Sequence, residues 1–141
     1  MISTALTTSF KKELLEGVHD FRVSGGDTFK IALYNASAVL GAQTTAYTTD
    51  NEITGSGYTA GGTTLTRVDP ATSGTTAYAT FQNVSWPAAT ITANGALIYN
   101  ASKSNAAVMV LAFGSDKSVT NAAFDVEFPT ANATSAIVRI V

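Results

Sequence analysis

The chain has 141 residues, of which 45% are hydrophobic and 13% charged, with no cysteine and a formal net charge of −2. That length suits one domain able to bury a core without disulfides or a structural metal. A net charge so small, with a pI near 5.1, gives no field for collecting phosphates and argues against nucleic-acid binding. A mean hydropathy of +0.18 argues against a disordered chain.

The start, Met1-Ile2-Ser3-Thr4-Ala5-Leu6, has no early basic residue and no apolar run behind it, so no secretory signal is expected. The longest apolar stretch, Ala106 to Phe113, is far shorter than the ~20 residues that span a bilayer. A cytoplasmic site of synthesis and no membrane partner follow as expectations.

One segment has helical spacing. Phe10, Leu14, Val18 and Phe21 fall on one face, opposite Lys11, Lys12, Glu13 and Glu16, with Thr8 or Ser9 placed to cap it. Gly17 favours two to three turns ending near that residue. This apolar stripe must be covered by the chain's own sheet or by a neighbour, so Phe10, Leu14, Val18 and Phe21 are the candidate partner contacts.

Beyond Gly25-Gly26, β-branched and aromatic runs alternate with Gly, Asn, Asp and Pro at about ten-residue spacing. The predicted strands are Thr28–Tyr34, Thr45–Thr49, Thr63–Val68, Thr75–Phe81, Thr90–Tyr99, Ala106–Gly114, Ala122–Phe128 and Ser135–Val141. Loops are expected at Gly55–Gly62, Asp69-Pro70, Asn100–Asn105, Gly114–Val119 and Pro129–Thr134. The fold predicted is an all-β antiparallel sandwich of about eight strands, jelly-roll-like or immunoglobulin-like, over residues 27–141. It is preceded by an N-terminal helical arm, residues 1–26.

Signals for chemistry are sparse. The single histidine, His19, stands beside Asp20, but neighbouring helical side chains diverge by about 100° and do not form a base–orienter pair; a cation near a helix C-terminus is the simpler reading. Gly55-Ser56-Gly57-Tyr58-Thr59-Ala60 matches a dinucleotide fingerprint in letters only, because a β-branched run and not a helix follows it. Asp50-Asn51-Glu52 aligns three oxygen side chains without the spacing of a calcium loop. Trp86 with Tyr34, Tyr47, Tyr58, Tyr78 and Tyr99 would make a sugar-stacking platform only if the rings were exposed. No enzyme, cofactor or essential metal is expected.

Several blocks do carry a resemblance. Asn51-Glu52-Ile53-Thr54-Gly55-Ser56-Gly57-Tyr58-Thr59-Ala60-Gly61-Gly62, then Val84-Ser85-Trp86 before Ala89-Thr90-Ile91-Thr92-Ala93, and Phe113-Gly114-Ser115-Asp116, resemble the pattern of a family of small virion proteins of tailed bacteriophages. The resemblance covers Thr28 to Val141. It implies a non-enzymatic capsid decoration or cement protein acting in repeated copies or as a homo-oligomer, with the major capsid protein as partner and the virion surface as its location. A tail or fibre component, or a host-glycan attachment protein, is the alternative.

Overall fold

The computed structural model describes residues 1–141 and consists of two antiparallel sheets with one short helix, an all-β, sandwich-like arrangement. Its first sheet has the order β1 (Ala5–Leu6), β7 (Ala106–Val126), β6 (Val84–Asn100), β2 (Phe29–Tyr34), β3 (Thr63–Thr64). The second has the order β4 (Arg67–Ser73), β5 (Thr76–Phe81), β8 (Val138–Ile140).

β2 is apolar on both faces because the centre of the first sheet is covered on both sides. Phe29, Ile31 and Leu33 enter the main core with Ile98, Val108 and Phe81. Ala32 and Tyr34 join Leu97, Tyr99 and Val110 in a second cluster on the opposite face. Residues 35–62 cover that second cluster through Ala38, Leu40 and Tyr47.

The helix, α1, spans Thr8–Leu15, and its cap is Thr7, one residue earlier than the predicted cap, with Thr7 Oγ1 accepting from Phe10 N–H at 3.2 Å. It ends before Gly17, which turns the chain at φ +72°. Residues 1–26 are stitched into the sandwich and do not stand off as an arm. β1 pairs with β7, Ile2 is buried, and Phe10 and Phe21 lie 0% and 7% exposed in the main core.

Several predicted boundaries need correction. Thr45–Thr49 is no strand; it touches the sheet by one bridge, Ala46 to Ala106, flanked by Tyr47 N–H to Asn105 O and Ala107 N–H to Thr45 O. Thr63–Val68 divides into β3 and β4, which belong to different sheets. Asp69-Pro70 sits inside edge strand β4, at a register shift between Val68 and Ala71. Ala106–Gly114 and Ala122–Phe128 are one strand, β7. The expected loop at Gly114–Val119 is a bulge: Gly95 pairs with Ala112 and Ala93 with Lys117, so four residues of β7 face Asn94 alone. The loops at Asn100–Asn105 and Pro129–Thr134 do join strands as expected.

Candidate functional site

The glycine-rich block has a structural job centred on Glu52. Asn51, at φ +62°, turns the chain so that the Glu52 carboxylate points inward. Its Oε2 accepts from the Tyr47 hydroxyl at 2.6 Å, and its Oε1 accepts from the Tyr58 hydroxyl at 2.6 Å and from Gly61 N–H at 2.7 Å. Tyr58 O also accepts from Leu33 N–H at 2.9 Å, at an edge of β2 that β3 is too short to cover. Tyr99 donates to Gly61 O at 2.7 Å and stacks on Tyr47, ring centroids 4.7 Å apart. With both oxygens committed to three protein donors, Glu52 is not presented as a cation ligand, and Asp50 points away into solvent. No three His, Cys, Asp or Glu side chains converge elsewhere.

Burial raises the hydroxyl pKa of Tyr34, Tyr58, Tyr47 and Tyr99 above the ordinary tyrosine value, and the Glu52 charge adds to the effect at each. The glycines let this loop lie on the sheet. A Cβ on Gly57, at φ +84°, would stand 2.4 Å from Ala88 O, and one on Gly62, at φ +77°, only 1.7 Å from Ile31 O. The dinucleotide-like letters therefore encode close backbone approach, and β3 rather than a helix follows them.

His19 does not lie at the end of α1, which stops at Leu15. Past Gly17 the chain folds back, and the imidazole is fully buried between Phe10 and Phe29, with centroids at 4.9 and 6.3 Å. Its Nδ1 accepts from Asn100 Nδ2 at 2.9 Å; that amide also donates to Asp27 Oδ2 at 2.9 Å, and its Oδ1 accepts from Ser102 N–H at 3.0 Å. These bonds orient the amide and assign the imidazole proton to Nε2, which faces Glu13 Oε1 at 3.2 Å. Asp20 joins that network through its backbone alone, its N–H donating to Asp27 Oδ2 at 2.9 Å; its carboxyl faces Arg22, whose hydrogen bonds hold the carboxyl pKa down at about 2.

The aromatic rings do not form an exposed row. Trp86 is buried between Tyr58 and Phe124, Tyr34 and Tyr99 are buried, and Tyr47 and Tyr58 are held by Glu52. Tyr78, on β5, is half-buried.

Of the four predicted partner contacts, Phe10 and Phe21 are core residues, a correction that follows from the second sheet closing over them. Leu14 and Val18 are half-buried. Leu14 and the edge of Phe21 line a groove of about 140 Å³ with Pro70, Ala77, Val138 and Ile140. The groove exists because Ala79 and Val138 pair over the core, while the next inward pair, Ala77 and Ile140, extends past it. Ile140 remains 60% exposed. Sequence reasoning missed Ala77 and Ile140, although the alternation Val138-Arg139-Ile140 carries an apolar face.

Comparison with protein-family models, with curated proteins and with solved structures found no match to this chain.

Proposed function

We propose that this protein is a non-enzymatic structural component of a tailed-bacteriophage virion, a decoration or cement protein that binds the assembled capsid shell in repeated copies and stabilises it. The observation that carries this reading is the open apolar groove between α1 and the β5–β8 face, while Glu52 with its tyrosines and Asn100 with Asp27 are satisfied within the chain. Residues of the motif that resembles virion proteins act here as structural parts: Glu52 as a knot, Gly57 and Gly62 as points of close approach. Few surface charges lower the desolvation penalty of covering such a body with a partner.

Stabilisation would follow from mass action. A protein that binds only the assembled lattice lowers the lattice's free energy by its binding free energy at every occupied position. The experiment is to add the purified protein to expanded shells lacking it. Saturable co-sedimentation and a rise in shell melting temperature are expected, and Ile140→Asp should reduce both. Shells that neither bind nor gain stability would refute the reading.

A further inference from the structure

The two edges of the second sheet are treated differently by the sequence. β4 carries Pro70, which donates no hydrogen bond, beside a register shift and the charged Asp69, all features that discourage another strand from pairing. β8 carries no proline and no bulge. Its pairs Ala77–Ile140, Tyr78–Arg139 and Ala79–Val138 engage one side only, and no other backbone hydrogen bond reaches Ile137–Val141.

We propose that the open edge of β8 accepts an extended segment of a partner chain as an added strand, apolar at alternate positions and acidic between them. The added strand would place apolar side chains beside Val138 and Ile140, extending the apolar face that lines the groove, and a carboxylate opposite Arg139. Three observations select this occupant. Val138 and Ile140 face the groove, so the position facing them on a paired strand must be apolar. Arg139 points to the opposite face and is exposed, with Nη1 donating to Ala133 O at 2.8 Å and the rest of its guanidinium open to a carboxylate. A second copy pairing edge to edge about the middle of β8 would set Arg139 against Arg139, which disfavours self-pairing. Such a contact is small, so it would gain strength from many copies on one lattice.

This inference rests on the reading of the groove as a contact surface, but its test is made on the isolated protein. The probe is the capped peptide Thr-Val-Glu-Val-Glu-Val-Thr at millimolar concentration, with nuclear magnetic resonance shifts and amide exchange as readouts. Shifts and slowed exchange confined to Ile137–Val141 and the groove residues are expected. Arg139→Glu, a surface change that leaves the fold intact, should weaken binding about fivefold and reverse the preference toward the same peptide with lysine for glutamate. The idea is overturned if the peptide leaves β8 unperturbed, if a version N-methylated on the pairing edge binds equally well, or if the protein itself dimerises through β8. Failure of the peptide while Ile140→Asp still abolishes shell binding would sink strand addition alone. Shells that bind no copies, with the peptide result intact, would sink the virion role alone.

Discussion

Gly62 and Gly74 both have positive φ, yet they constrain the fold to different degrees. At Gly62 an added Cβ would collide with the backbone of β2, whereas at Gly74, in the two-residue hairpin loop between β4 and β5, it would meet nothing within 4 Å. Gly62→Ala should therefore destabilise by more than about 3 kcal/mol, and Gly74→Ala by about 1 kcal/mol, as read from urea midpoints. Glu52 should matter nearly as much as Gly62. Glu52→Ala removes the acceptor of two hydroxyls and one backbone N–H, and a loss of about 2–4 kcal/mol is expected. The tyrosines around it also predict alkaline behaviour. Unfolded tyrosine gives up its proton near pH 10, while Tyr34, Tyr47, Tyr58 and Tyr99 hold theirs higher in the folded chain, so the folded state binds more protons there. Stability contributed by these groups is complete below about pH 10 and falls as pH rises beyond it. A melting temperature unchanged between pH 9 and 11 would contradict this, and Glu52→Gln should flatten the slope by removing the charge that adds to the shift.

At the scale of elements, α1 serves the core on one side and solvent on the other. Phe10→Ala should cost about 3–5 kcal/mol because the ring is fully buried among Phe21, His19 and the first sheet. Leu15→Ser, at a residue 92% exposed, should change stability by less than about 0.5 kcal/mol. Thermal melts of the two variants side by side check both. The helix, β2 and the alternation of Phe124, Val126 and Asp125 were legible in the sequence, since each expresses its own period within a few residues. What was illegible depends on contacts made across the chain. Gly114-Ser115-Asp116 has the residues of a turn, but pairing of Lys117, Ser118 and Val119 with β6 carries the strand through it. Thr45–Thr49 has strand composition, yet the sheet offers it only one bridge. The sequence places His19 near a helix C-terminus, but past Gly17, at φ +72°, the chain reverses and the ring turns inward. The groove was half visible: the stripe supplied Leu14 and Phe21, but Pro70, Ala77 and Ile140 reach it from three separate strands.

The whole molecule presents an open apolar groove between α1 and the β5–β8 face and carries a net charge of only −2. Its main sheet is covered on one face by α1 and the second sheet, and on the other by Ala38, Leu40 and Tyr47, in a segment held together by the bonds of Glu52 to Tyr47, Tyr58 and Gly61. Such a body suits repeated attachment to a lattice, where modest contacts add over many positions. Counting copies per purified virion by quantitative mass spectrometry tests this most directly. The cement role predicts hundreds of copies, stoichiometric with positions on the shell; a dozen or fewer would place the protein in the tail and contradict the account.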